Sequence, residues 1–267
     1  LSALNRRIIR RNLNRILFEQ DEVHLTDDGC YITHIPKEDN RVKHIEKILK
    51  LKVGDSLRTG ILDLGMSNAA TIEDMVDGIT INLGSKESIY TTPSPKIDLL
   101  LALPRPQKLE KLLPIISCLG VRNIFLVDAC KVEKDYFGSH LLRNPAKMRQ
   151  LLIEGLSQAE VDCTLPKVRV IRNLKEFLLN ELNKELPLHS GYNNENGNYS
   201  DTITTNSTAS NSSECASSAT PTTTPKSMLL AVGPEGGWLS HEVSLFQQQH
   251  FQLVHLGNRI LRTDIAV

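Results

Sequence analysis

The sequence predicts a two-part chain: a small β-barrel or sandwich, followed by an α/β domain with a mainly parallel sheet. Three observations carry this. Residues 14–90 hold short, partly alternating apolar segments separated by turn dipeptides. The stretch Thr91-Thr92-Pro93-Ser94-Pro95 breaks that pattern and reads as a linker. Beyond it, continuous apolar runs alternate with helical ones, the rhythm of strand–helix–strand units around a parallel sheet.

In the first part, strands are expected at Arg15–Glu19, Tyr31–Ile35, Ser56–Leu62, Ala70–Asp74 and Gly78–Leu83. Asp28-Gly29, Gly54-Asp55, Gly60, Gly65 and Asp77-Gly78 punctuate them. One helix intervenes, with Val42, Ile45, Ile48 and Leu49 as its apolar stripe. Its other face gathers Arg41, Lys43, His44, Lys47 and Lys50, with Lys52 just beyond and Glu46 the lone acid. In the second part, strands are expected at Ile97–Leu103, Asn123–Asp128, Lys167–Ile171, Met228–Val232 and Phe251–Leu256. Helices are expected at Lys108–Leu119, Asn144–Val161, Leu174–Leu186 and Ser240–His250. The domain plan is therefore a basic arm at 1–12, a barrel at 13–90, a linker at 91–96 and an α/β domain at 97–267. A Ser/Thr/Asn-rich insertion at 190–226 interrupts the last, with almost no large apolar side chain, and is expected to be disordered. Its three N-x-S/T sequons, at Asn198, Asn206 and Asn211, are what such a composition makes by chance.

Composition excludes several functions. Aromatics are 4% of the chain, too few for a nucleic-acid surface built mainly on stacking. The formal net charge is zero, so any polyanion contact must come from local patches. The apolar run around Leu112–Leu119 is interrupted by Pro114 and is far short of a membrane span. Five cysteines, with no CxxC, argue against a disulfide framework or a structural zinc site and favour a reducing compartment. No metal is assigned, because neither His44/Glu46 nor His241/Glu242 forms an H-E-x-x-H pattern. The chain begins at Leu1, which reads as a fragment or processed form. Arg6, Arg7, Arg10, Arg11 and Arg15 without an acid read either as a solvated basic arm or as the tail of an organelle transit peptide.

Leu62-Asp63-Leu64-Gly65-Met66-Ser67 imitates the start of a Rossmann methyltransferase motif. It lacks the further glycines that would let the backbone approach a cofactor, and reads as a hairpin turn of the barrel. The informative region is the C-terminal fifth. The strand containing Leu230 runs into Gly233-Pro234-Glu235-Gly236-Gly237-Trp238, and a helix follows with Ser240 as its N-cap. Three glycines and a proline around one acid make a preset loop at a strand's carboxyl end, where α/β sheets bind ligands. A second glycine loop follows at Val254-His255-Leu256-Gly257-Asn258-Arg259-Ile260-Leu261-Arg262, where two arginines could grip an anionic backbone or position a base.

These two loops together resemble the paired signatures of the RsmE family, ribosomal RNA uridine N3-methyltransferases of the SPOUT superfamily. His44–Asp55, ending in Leu49-Lys50-Leu51-Lys52-Val53-Gly54-Asp55, is similar to that family's N-terminal domain signature, Leu119-Gly120-Val121 to the end of its first SPOUT helix, and Glu154 and Gln158 to residues of its central helix. Ala159–Thr164, Lys131–Tyr136 and Asp264-Ile265-Ala266 depart from the family's pattern, which marks a divergent branch. The resemblance implies a PUA-like barrel, a SPOUT domain with a deep trefoil knot and a homodimer. It implies a final helix where the chain stops at Val267, hence a C-terminal truncation. It implies S-adenosylmethionine held by Leu230, Gly233, Pro234, Glu235, Gly236 and Gly237 on one side, and by Leu256, Gly257, Ile260, Leu261 and Arg262 on the other. Arg262 is the expected catalytic residue. Arg41, Lys43, Lys47, Lys50, Lys52 and Arg259 are the expected RNA contacts, on ribosomal RNA or the small ribosomal subunit. Location is expected to be cytoplasmic, or else a mitochondrion or plastid. Methylation of another RNA nucleotide and a non-catalytic dimeric RNA-binding role are the alternatives.

Overall fold

A computed structural model describes residues 14–91, 97–159, 162–186, 202–205, 228–254 and 267. Its contacts divide the chain into two compact units. The first gathers the residues up to position 94 with Ser117–Gly120 and Arg149–Leu165; the second gathers the remainder.

The first unit is built on a six-stranded sheet in the order β1-β4-β5-β6-β3-β2. Its strands are β1 (Ile16–Phe18), β2 (Val23–Leu25), β3 (Cys30–Ile35), β4 (Ser56–Ile61), β5 (Gly65–Asp74) and β6 (Ile79–Ser85). β1 pairs with β4 in parallel and the other pairings are antiparallel. Alternate residues of β6, Ile79, Ile81 and Leu83, point into a core with Phe18, Ile35, Ile61 and Ile72. The short strand β2 escaped the sequence reading because His24 and Leu25 are exposed and only three residues pair. The Leu62–Leu64 segment is a turn: β4 ends at Ile61, β5 begins opposite it at Gly65, and Asp63 has a φ of 59°. A second cluster joins Leu17, Leu62 and Met66 to Leu156, Ala159 and Cys163, so residues 149–165 pack within this unit. Burial there pushes the Cys163 thiol up to about 11.

Two arginines assigned to the surface by the sequence reading are structural. Arg15 is buried, and its guanidinium donates to the carbonyls of Thr59 (2.6 Å) and Ser67 (3.1 Å) and to Asn68 Oδ1 (3.1 Å). It cross-links β4 to β5 and is no part of a solvated arm. Arg41 is likewise withdrawn from the exposed basic face. It pairs with Glu22 and Asp39, donates to the Leu17 carbonyl and lies over the Phe18 ring. The helix itself also differs from expectation. Asn40–Lys43 is α-helical, but His44–Leu49 is a π-turn. The wider turn rotates later residues off the face that a 3.6-residue period predicts. Val42 and Ile45 are buried, whereas Ile48 is 69% exposed.

The second unit carries a sheet in the order β12-β10-β11-β7-β8-β9, with every described pairing parallel. Its strands are β7 (Ile97–Ala102), β8 (Val121–Val127), β9 (Lys167–Ile171), β10 (Thr202–Thr205), β11 (Met228–Val232) and β12 (Gln252–Val254). In chain order, helices at Pro106–Cys118, Pro145–Gln158 and Ser240–Gln248 alternate with them, as does the segment from Leu174 to Glu185, although Pro145–Gln158 belongs to the first unit from Arg149 onward. β10 corrects the reading of 190–226 as uniformly disordered. Thr-Ile-Thr-Thr is β-branched throughout, and it pairs with both β11 and β12. The rest of that tract, the arm at 1–12 and the segment 255–266 expected to thread a knot lie outside the described residues. At the amino edge of the sheet, buried Asp98 receives Arg122 Nε (3.0 Å) and Asn123 Nδ2 (2.6 Å). That end of the sheet is a stability device.

Arg41→Ala is expected to cost about 1–2 kcal/mol in urea unfolding at pH 7, once screening at a half-exposed network is allowed for. Burial raises the carboxyls of Glu22 and Asp39, but hydrogen bonds from Arg41 outweigh it, and both titrate below their ordinary values. The Arg41 contribution is therefore present above about pH 4.5 and lost as pH falls through the folded-state values. Unfolding of wild type and variant across pH 7 to 3 should converge at the acid end.

Candidate active site at the carboxyl edge of the parallel sheet

β11, β7 and β8 lie side by side, and a cleft opens where they end. Ala102–Arg105 line it after β7, Lys131–Glu133 and Tyr136 after β8, and Pro234–Gly236 after β11. Adjacent parallel strands deliver three loops to one place, which is how open α/β sheets make ligand sites.

The loop after β11 is held from several directions. Gly237 donates to the Pro234 carbonyl at 2.8 Å and has a φ of 70°, closing a tight turn that favours glycine. Lys108 forms an ion pair with Glu235. Lys131 Nζ donates to the Gly236 carbonyl at 2.5 Å. A Cβ on Gly236 would stand 2.9 Å from Lys131 Cδ, and one on Gly233 would stand 2.9 Å from Trp238 Nε1. Trp238 is buried against Phe246, ring centroids 4.8 Å apart, and Phe246 against Phe251. The loop is thus fixed by its neighbours, while Glu235 and Gly236 remain exposed.

Glu242 ties two of the loops together. It is buried, and its carboxylate accepts Leu239 N–H at 2.7 Å and Cys130 N–H at 2.8 Å. Leu239, not Ser240, is the N-cap of this helix; Glu242, three residues on, satisfies its amide. Ser240 has no need to cap because a charge reaches back instead. The Cys130 Sγ lies 3.4 Å from His241 Nε2. Desolvation first, and then the Glu242 charge, push that thiol up, so it is a poor nucleophile. At the cleft's mouth, a hydrogen bond with Tyr136 is the main reason the Arg105 guanidinium holds its proton more tightly than usual, with Glu235 and Glu133 adding to it.

Of the residues singled out from sequence, Pro234, Glu235 and Gly236 line the cleft. Gly233 and Gly237 shape the loop from behind, and Leu230 sits within β11, paired with Leu99. Leu256, Gly257, Arg259, Ile260, Leu261 and Arg262 lie outside the described residues. Lys43, Lys47, Lys50 and Lys52 are exposed on the first unit. The sequence reading missed Arg105, Lys108, Lys131 and Tyr136, which carry no motif. A usable signal was their position just after predicted strands that end beside β11. Among the described residues, no group of three or more His, Cys, Asp or Glu could hold a metal, and no helix is long and apolar enough to cross a membrane.

A glycine loop at the carboxyl ends of parallel strands, walled by Ala102, Leu103 and Val132, has the arrangement at which open α/β sheets take small molecules. Comparison with known proteins narrows this. Residues 92–267 match the model of the RNA methyltransferase domain. The chain belongs to that family, in its RsmE branch. It is 28% identical to ribosomal RNA small subunit methyltransferase E of Treponema pallidum, covering 95% of this chain and 87% of that protein. It is 27% identical to ribosomal RNA small subunit methyltransferase E 1 of Borreliella burgdorferi, covering 88% and 89%. A crystal structure of ribosomal RNA small subunit methyltransferase E from Neisseria gonorrhoeae, bound to S-adenosyl methionine, shares the fold. Its TM-score is 0.61 at 20% identity, over 94% of this chain and 93% of that one.

Glu242→Ala leaves two amides without their acceptor. Thermal or urea unfolding should show a loss on the order of 1–3 kcal/mol, since both amides are only part-buried and water can replace some of what the carboxylate supplied. Lys131→Ala, at an exposed contact, should lose little stability.

Proposed function

We propose that the chain is an S-adenosylmethionine-dependent methyltransferase that modifies N3 of a uridine in small-subunit ribosomal RNA, acting as a homodimer with a PUA-like barrel and a trefoil-knotted SPOUT domain. The observation that carries it is the Gly233–Trp238 loop at the carboxyl ends of β11, β7 and β8, in a chain of this family. Its residues fit the cofactor. Glu235 and Gly236 are exposed, so backbone of this loop would be within reach of a flat purine. Ala102, Leu103 and Val132 offer apolar walls.

The bound cofactor supplies a methyl group on a sulfonium, already electrophilic. The chain's task is alignment and management of one proton. The chain's residues would align uracil N3 with that methyl group, whose bond to sulfur would break to leave a thioether as the N3–carbon bond formed, and would let the imide proton pass to a base or to water. Arg262, carried over from the resemblance, would stabilise the charge that develops on uracil. Arg105, with Tyr136 against it, stands at the mouth of the cleft where a flipped nucleotide would enter. Lys43, Lys47, Lys50 and Lys52 would hold phosphates, which position RNA without reading it. Arg259 would do the same in the second loop.

Gly236→Val should abolish binding of S-adenosylhomocysteine in calorimetric titration while the first unit stays folded; unchanged affinity would remove that loop from the site. Lys43→Glu/Lys47→Glu and Arg262→Ala should fail differently. The first should weaken binding to a ribosomal RNA transcript and reduce its salt dependence by about one slope unit per lost contact. The second should spare RNA affinity and slow single-turnover methylation by on the order of 2–4 kcal/mol in barrier. Normal turnover by Arg262→Ala would overturn its role. A chain that binds RNA but no cofactor would favour the non-catalytic reading.

A further inference from the structure

We infer that the second unit carries its own RNA-backbone groove, built on Lys134, Arg143 and Arg172 and separated from the cofactor cleft by one short helix; this rests on the RNA-methyltransferase reading above. The groove lies on the far side of the 3-10 helix Lys134–Gly138. Tyr136 of that helix and Glu133 just before it face the cleft, whereas Lys134, Phe137 and Gly138 face the groove. Arg172 follows directly after β9, the strand next to β8. Cleft and groove therefore follow one another along the carboxyl edge of the same sheet.

Two of the three cations, Arg143 and Arg172, have no acid partner among the described residues. The Arg172 guanidinium lies over the Phe137 ring, 4.2 Å from its centroid, with Nη2 reaching the Phe137 carbonyl at 3.5 Å. Arg143 Nη2 lies 3.2 Å from where a Cβ on Gly138 would be, an approach that the glycine permits. Neither arginine forms an ion pair among the described residues, and both are exposed. Lys134 pairs with Asp128 and keeps 70% of its side chain exposed. An exposed arginine that is already oriented has less freedom to lose when an anion arrives. The chemistry selects phosphate over bases. Phe137 is buried beneath Arg172 and offers no face for stacking, so the groove presents donors and positive charge. A nucleotide whose base entered the cleft would carry its neighbouring phosphates over the Lys134–Gly138 ridge and into this groove.

The test uses the full chain and an in vitro transcript of small-subunit ribosomal RNA, with filter binding at several salt concentrations. Arg143→Glu alone, and with Arg172→Gln, should lower affinity roughly tenfold or more, and the double variant should reduce the salt slope by about 1.4–1.8 units for two phosphates. Affinity for S-adenosylhomocysteine should be unchanged, which also reports an intact fold. Lys184→Glu, an exposed charge reversal in the same unit, should have a small effect. Wild-type slope and affinity in the double variant would overturn the groove, as would an equal loss in Lys184→Glu, which would make the effect one of net charge. A wild-type chain that binds the transcript no better than it binds DNA and methylates nothing would overturn the underlying RNA reading instead.

Discussion

One buried carboxylate organises the functional edge of the second unit. Glu242 sits at the first turn of the helix Ser240–Gln248 and accepts amides from Leu239 and Cys130, so the loop after β11 and the loop after β8 share an anchor. Without it, parallel strands would still end side by side, but the loops after β8 and β11 would lose the one buried carboxylate they share. Lys131, the residue next to Cys130, then reaches the Gly236 carbonyl across the cleft. Lys108 closes the same loop from the helix after β7. The sheet sets where the site is; these polar ties set its shape.

The division of labour between the sheet's two edges follows from the same geometry. At the amino edge, Asp98 is fully buried and satisfied by Arg122 and Asn123, leaving it nothing to offer a ligand. At the carboxyl edge, Arg105, Lys131 and Arg172 are exposed, held by neighbours rather than spent on acids. The first unit shows the opposite treatment of charge. Arg15 and Arg41 are turned inward, onto carbonyls, carboxylates and an aromatic ring, and knit strands together. The four lysines nearby stay outside. Arginine, with a planar fork of donors, serves as the interior cross-link, whereas lysine is left to the solvent face.

Much of this was legible in the amino-acid pattern, and for physical reasons. Met228–Val232 was read to the residue because an inner parallel strand is a nearly continuous apolar run, and Lys167–Ile171 because Val168, Val170 and Ile171 are β-branched. The glycine loop was legible because glycines cluster where backbone must come close to something. The failures share a cause: they depend on partners distant in sequence. Arg41 looked like one of a row of helix cations until Glu22, 19 residues away, closed on it. Ile48 fitted a 3.6-residue stripe that the π-turn then rotated outward. Thr202–Thr205 was hidden by its polar surroundings, and its pairing to β11 and β12 is a tertiary fact. Lys108, Lys131 and Arg105 have no local pattern at all; the order of strands in the sheet brings them together.

The central claim is that the cleft bounded by these three loops is where the cofactor sits. Hydrogen–deuterium exchange of the full chain, with and without saturating S-adenosylhomocysteine, tests it most directly. The account predicts slowed exchange in the three loops together, at residues 103–105, 130–136 and 235–238, with the first unit's strands unaltered. Protection confined to other segments, with these loops exchanging as in the free protein, would contradict it.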